Sequence, residues 1–551
     1  MRRSLILLLI TGLALLPLRA QVRTVERSYV TTDRSVYVAG DRIWVSAFCV
    51  TGEGRLSEGS RVAYLELHSA DGVAATAKMA LDGGRGAGYI DLPTSLPTGN
   101  YRLIAYTAQN KDEVDYDYTG LCSKTLSIFN VFSTDRVKDG VEVVSPEAYE
   151  NRHARLDRAS QTPGQAGYDV SKGVVLEWTA DSTLRITNNT GEHISFSLSI
   201  ACEDAILPPA NPDISDFLRA AKLVGERAFR GEVLPELEGE VISGRLVADA
   251  ATLLTLLGHC VFISTPSEQA EVYMTQVVGD GALTFVTGNI FGNQELVCEI
   301  EDVDPQATVR FAFDSPFVQA PVAVPERLRL SPSLGEALKA RSLAMQKERR
   351  TASDTLYDYL PHREYPLLDG TPIRYILDDY TRFGTLEETF IEFIPQVRTR
   401  KVGGRTEIQV RLEEAPDARV FTGGSSLVLL DGVPILDHER LLQYDPHLVQ
   451  RIDVYPYTHY LGSRFYEGVA NLITFEHNLP RYPLGKTMKV IAFPGVCWPV
   501  ARVGWHPILE LDSGETLTLP CRFEDASGSF NATLEGITAT ARPVVCSVWF
   551  F

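Results

Sequence analysis

The 551-residue sequence has no GxSxG, no HExxH and no CxxC. These absences remove the usual marks of a serine hydrolase elbow, a zinc hydrolase helix and a thiol redox or zinc-ribbon site. The ten histidines are scattered, and none has a Ser or Cys partner nearby in a known arrangement. No block of Lys and Arg exceeds a few residues and the formal charge is −19, so an electrostatic grip on nucleic acid or anionic lipid is not expected. After residue 20 no run approaches the roughly 20 apolar residues of a membrane helix. Amphipathic helical stretches are few. No catalytic, cofactor-binding or metal-ligating residue is therefore expected.

What is present points to short strands and turns. Glycine (42), proline (30), tyrosine (22) and phenylalanine (23) are plentiful, and the chain is 44% apolar and 22% charged. Its length requires several cores. Residues 1–20 combine Arg2 and Arg3, an apolar run from Leu5 to Leu18, and Ala20 before Gln21. That is the pattern of a cleaved secretory signal peptide, with no Cys after the cut to carry a lipid. The expected location is the periplasm or the outer membrane's surroundings. Export permits disulfides among Cys49, Cys122, Cys202, Cys260, Cys298, Cys497, Cys521 and Cys546. The pairs 49–122, 260–298 and 521–546 are compatible with single domains; buried free thiols are the alternative.

Period-2 alternation in VYVAGDRIWVSA (residues 36–47) and VAYLEL (62–67) reads as antiparallel strands. TDRSVYVAGD with Trp44 (32–44) and LPTGNYRLIAYT (96–107) resemble the opening and closing strands of a macroglobulin-type domain. VVLEW (174–178), TLRITNN (183–189) and the strand 195–202 are similar to a second such sandwich, with a helix over 215–228 capped by Asp213 or Ser215. EGEVISGR (238–245), CVFIST (260–265) and DGALTF (280–285) resemble a transthyretin-like regulatory module of carboxypeptidases. An amphipathic helix follows over 333–350, with Leu334, Leu338, Ser342 and Met345 on one stripe.

LVLLDGVPI (427–435), LLQYDPHLVQRIDV (441–454) and GVANLITF (468–475) resemble the plug of a TonB-dependent receptor. Only about 75 residues follow, too few for a barrel of about 22 strands, so no pore of its own is expected. The tail (503–551) is similar to an immunoglobulin-like sandwich. Together these segments resemble exported envelope proteins of Gram-negative bacteria.

The expected fold is mainly β, with tandem immunoglobulin-like/macroglobulin-type sandwiches and one small α/β plug-like domain. The expected divisions are a signal peptide (1–20), a macroglobulin-type sandwich (21–134), and a second one with its linker (135–232). A transthyretin-like sandwich (233–330), a helical linker (331–360), a plug-like domain (361–480) and a C-terminal sandwich (481–551) follow.

Full-length macroglobulins trap proteases through a CGEQ thioester. Ser267-Glu268-Gln269 has no Cys before it, so that chemistry is not expected. Asp112, Asp115, Asp117, Asp302 and Asp304 fit no calcium loop. Tyr455, Tyr457, His459 and Tyr460 are the candidate binding residues. They crowd four rings into six positions of an expected loop, where Tyr supplies contact area at low entropic cost. Packing against a neighbouring domain is the competing role. Asp431 and Gly432 are read as a structural turn, Gly for positive φ and Asp as its cap. The resemblance implies a non-catalytic scaffold with no cofactor. Its partners would be outer-membrane or periplasmic proteins, a TonB-dependent receptor barrel among them. The alternative is a macroglobulin-related protease inhibitor without a thioester, with Arg398-Thr399-Arg400-Lys401 or residues 347–350 as cleavable bait.

Overall fold

The computed structural model describes residues 26–550 except 114–122, 134–139, 151–167, 172, 180–181, 203–204, 225–233, 268–269, 289, 305, 320–322, 324, 356–366, 369, 414–420, 486–487, 498–503 and 522–529. Residues 1–20, where a signal peptide is expected, and Cys122, Asp115, Asp117, Glu268 and Gln269 lie outside the described residues. The chain is mainly β, a set of small-sheet sandwiches with one α/β part. Among the described residues no helix is long and apolar enough to cross a membrane. Contacts divide the chain into two units, residues 1–237, 317–353 and 499–551 in one, 238–316 and 354–498 in the other.

In the first unit, Arg27–Thr32, Arg42–Val50 and Arg85–Asp91 form one layer. Val62–Ser69, Gly99–Tyr106, Ser123–Phe129 and Val36–Val38 form the second, and Gly72–Asp82 pairs into both. Alternate apolar residues (Val30, Ile43, Val45, Leu65, Leu103, Ile128) meet between the layers. The opening motif fastens itself. Asp33 Oδ1 accepts from the Tyr37 hydroxyl at 2.8 Å and the Trp44 amide at 3.1 Å, while Asp41 Oδ2 accepts from the Val38 amide at 2.8 Å. In the closing motif the Tyr101 hydroxyl donates to Pro97 O at 2.7 Å.

The second sandwich of this unit is assembled from distant parts of the chain. Tyr168–Ser171, Val174–Thr179 and Thr183–Asn188 share a sheet with Thr516–Pro520. Ile194–Cys202 lies between Trp505–Leu511 and Phe530–Thr538, and Pro543–Phe550 closes that sheet. Their core is common: Leu176, Ile186, Phe196 and Leu198 pack with Leu534 and Val548, and Trp178 stacks on Phe550 at 3.8 Å. This differs from the two separate sandwiches expected over 135–232 and 481–551. Residues 168–202 supply three of the four strands of one layer and one of the four of the other, residues 505–550 the complement, so either segment alone would leave its apolar faces bare. The helix Ile214–Val224 starts as expected, with Asp213 Oδ1 accepting from the Asp216 amide at 2.9 Å. Gly335–Thr355 is another long helix; of the expected stripe Leu334 just before it, Ser342 and Met345 are buried and Leu338 is half-buried.

In the second unit, Val241–Val247, Ala282–Val286 and Arg310–Phe313 face a sheet of Glu271–Gln276, Cys260–Thr265, Asn293–Ile300 and Lys489–Pro494. Beside this sandwich is a five-stranded mixed sheet. Its order is Ile373–Ile376, Val449–Leu461, Arg464–Thr474, Leu427–Leu430, Val433–Pro434, and Leu427–Leu430 runs parallel to its neighbour. Helices Leu386–Phe393 and His438–Leu442 and the hairpin Val397–Val402/Arg405–Val410 accompany it. Phe390, Val410, Leu430, Ile452 and Leu472 share its core.

The disulfide alternative fails for two of the proposed pairs. Cys260, Cys298 and Cys521 are buried thiols, so neither 260–298 nor 521–546 is joined. Cys298 lies opposite Ile263, not Cys260, and burial pushes its thiol up to about 12, which keeps it protonated.

Candidate interaction site

The Asp-Gly turn is where the five-stranded sheet is locked. Asp431 is 1% exposed at φ +49°, a left-handed conformation that Asp tolerates better than most residues. Its carboxylate accepts from the Thr474 amide (2.7 Å), the Thr474 hydroxyl (2.7 Å) and the Leu479 amide (2.8 Å). It thus ties the turn to the end of strand Arg464–Thr474 and the segment beyond. Gly432 follows at φ +77°, and a Cβ there would lie 2.0 Å from the Ala270 methyl.

The aromatic cluster is not in a loop. Tyr455, Tyr457, His459 and Tyr460 lie within the 13-residue strand Val449–Leu461, which turns at Gly462 and returns as Arg464–Thr474. Tyr, Thr and His suit a pleated, half-buried surface, and the strand accommodates Pro456 by a register shift between Tyr455 and Thr458. Beyond the shift the pairs are Thr458–Glu467, His459–Tyr466, Tyr460–Phe465 and Leu461–Arg464. Opposed residues share a face, so Thr458, Tyr460, Phe465 and Glu467 look one way and His459, Leu461, Arg464 and Tyr466 the other.

The second face packs on the sandwich. Leu461 joins the buried Phe262 and Val272. Arg464 donates from Nη2 to Glu301 Oε2 at 2.8 Å and from Nε to Cys260 Sγ at 3.2 Å. Burial pushes the Tyr466 phenol up to about 12. Gly462 has φ +56°, and a Cβ there would meet Met274 Cε at 2.5 Å. Tyr455 is half-buried and meets His459 edge-on at 5.6 Å. Burial raises its phenol as well. Tyr457 is half-buried beside Gly370.

On the first face Thr458 and Glu467 are half-buried, Glu467 accepting from the Gly424 amide at 2.8 Å, and the end nearest the turn points to solvent. Tyr460 is 79% exposed and Phe465 62%, with ring centroids 6.5 Å apart. Four of the aromatic positions thus divide: Tyr455, Tyr457 and His459 pack, and Tyr460 is presented. Phe465 completes the exposed pair. Sequence reasoning missed it because a lone Phe after a Gly-Ser turn reads as core; only the pairing register puts it beside Tyr460.

His438 is held by a backbone hydrogen bond. Its Nδ1 accepts from the Ile408 amide at 3.0 Å, and burial lowers its pKa to about 4, leaving it neutral. Asp302 pairs with Arg405 at 2.8 Å. Among the described residues no three His, Cys, Asp or Glu gather as metal ligands would.

No family model and no curated protein matches the chain. Among solved structures, the Lin-41 filamin domain is 19% identical over 18% of this chain and 90% of that one, with a TM-score of 0.14. Salmonella α2-macroglobulin reacted with methylamine is 10% identical over 96% of this chain and 24% of that one, TM-score 0.16. Trypsin-activated α2-macroglobulin from Escherichia coli is 9% identical over 95% of this chain and 41% of that one, TM-score 0.22. The chain therefore spans well under half the length of these macroglobulins. At such scores the likeness carries no argument, and the fold described above rests on its own strand pairings.

Proposed function

We propose that this chain is an exported, non-catalytic scaffold of a Gram-negative envelope that binds another protein through the tip of its long hairpin. The observation that carries the reading is the exposed Tyr460–Phe465 pair on a hairpin whose opposite face is anchored by Leu461 and Arg464. Two large rings on a rigid support bring contact area with little ordering cost, the combination found at interface hot spots. The motifs at 32–44 and 96–107, the module at 238–285 and the segments at 427–475 resemble macroglobulin-type, transthyretin-like and plug domains. They support an envelope setting, with a TonB-dependent receptor barrel as one partner.

The protease-inhibitor reading stands second. A protease engages an extended segment free of its own pairing, whereas residues 398–401 lie in strand Val397–Val402 and residues 347–350 in helix Gly335–Thr355. Replacing Tyr460 and Phe465 by Ser removes exposed rings, so the thermal midpoint of the full chain should hardly move. Chemical cross-linking of the purified chain in outer-membrane extract should recover a discrete partner with the parent and roughly thirtyfold less with the double variant, as for about 2 kcal/mol of hot-spot energy. An unchanged cross-linking pattern contradicts the reading.

A further inference from the structure

The hairpin Val397–Val402/Arg405–Val410 is a sheet of two strands. Its backbone pairs in full register from Val397–Val410 to Val402–Arg405, and the tip is Gly403-Gly404, both at positive φ. Among the described residues no third strand pairs with Val397–Val402; the outward amide of Val397 donates to Ile394 O at 3.0 Å, so the open part of this edge is the backbone from Thr399 onward.

That edge is cationic in an acidic chain. Arg398, Arg400 and Lys401 lie along it, while the whole sequence carries −19. Arg400 and Lys401 are exposed and form no ion pair with any described residue. Glu407, opposite Arg400 in register, takes the Gln409 amide at 3.3 Å. Arg398 is held in place: it donates from Nη2 to Gln409 Oε1 at 2.9 Å and lies 4.0 Å over the Phe421 ring. Burial and the neighbouring Arg400 charge depress its pKa, as expected of cations no carboxylate has neutralised. Charges act over about 8 Å at physiological salt, so Glu387, which accepts from the Thr399 hydroxyl at 3.0 Å, and Glu407 offset part of the patch, while Arg398, Arg400 and Lys401 leave it net positive against the acidic remainder.

We propose that strand Val397–Val402 is a docking edge that takes an extended, acidic segment of a partner polypeptide as a third strand. Backbone hydrogen bonds would supply the ladder, and Arg398 and Arg400 would face carboxylates on alternate positions of the incoming strand. The inference takes only the partner's class, a protein, from the preceding section, and uses a different hairpin. The simpler role of edge cations, fending off aggregation, predicts no saturable ligand.

The test uses the full chain and a fluorescein-labelled ten-residue peptide alternating Glu with Val and Thr, read by fluorescence anisotropy. Saturable binding is expected, weakened at least tenfold by Arg400→Glu with Lys401→Glu. Those side chains form no hydrogen bond or ion pair with a described residue, so the variant should fold; Arg400→Ala serves as the milder check. The same peptide with Lys for Glu should not bind. Of two peptides N-methylated at alternate amides in opposite phases, one should lose binding. No saturable binding, binding indifferent to the charge reversal, or binding that survives both N-methylated phases overturns the proposal. So does a dimer in sedimentation that the charge reversal dissolves, since the edge would then belong to a second copy.

Discussion

Asp431→Ala is expected to cost the second unit about 4 kcal/mol. The carboxylate satisfies two buried amides and one hydroxyl, and hydrogen bonds to a charged group contribute about 1.5–3 kcal/mol each before non-additivity is allowed for. The variant also places Ala at φ +49°, which adds strain. A chain with two units need not unfold in one step, so hydrogen exchange of peptides spanning 427–434 and 469–480 is the suitable readout. Protection there should fall by two to three orders of magnitude, by roughly tenfold per 1.4 kcal/mol. Asp431→Asn keeps one acceptor and should lose about half as much. Unchanged exchange in Asp431→Ala would mean that the turn is not the lock described.

Raising the pH should weaken the same unit through Glu299, and Glu299→Gln should remove the effect. Glu299 is 4% exposed on strand Asn293–Ile300, and its Oε2 has no hydrogen-bond partner. Burial pushes its pKa from 4.5 up to about 8; the Leu436 amide and Arg440 oppose the rise and Asp437 adds to it. Tyr482 also faces it, and its phenol is raised mainly by burial and then by Glu299. The folded state therefore holds this proton more tightly than the unfolded chain. Its contribution is complete below about pH 4.5 and is lost as pH climbs to about 8. At about 1.36 kcal/mol per pH unit, Glu299→Gln should match the parent near pH 4.5 and exceed it by roughly 4–5 kcal/mol at pH 8.5. Hydrogen exchange of peptides spanning 293–300 at the two pH values, corrected for the intrinsic exchange rates, checks this. A variant that gains nothing at high pH shows the carboxylate to be paired.

Local pattern carried the strands, and the residues around Asp33, Asp41 and Tyr101 show why: each motif closes hydrogen bonds within a few positions of itself. Pattern could not choose partners across the chain. Alternation in Leu176, Leu198 and Leu534 marks a buried face but says nothing of which sheet covers it, and the pairing of 168–202 with 505–550 was hidden for that reason. The aromatic cluster was found and its form mistaken. Pro456 and Gly462 read as a loop, yet a register shift absorbs the first and the turn uses the second. Glu299 occupies a position where alternation calls for a polar, solvent-facing residue; packing beside Leu436 and Tyr482 buries it instead.

A photo-crosslinking amino acid placed at position 460 of the full-length chain in living cells asks most directly whether the hairpin tip meets a partner. The account predicts one discrete protein adduct, lost when Phe465→Ser is added, and none from Leu254, which is 70% exposed on helix Ala250–Leu256. Absence of an adduct at 460, or the same adducts from both positions, would contradict it.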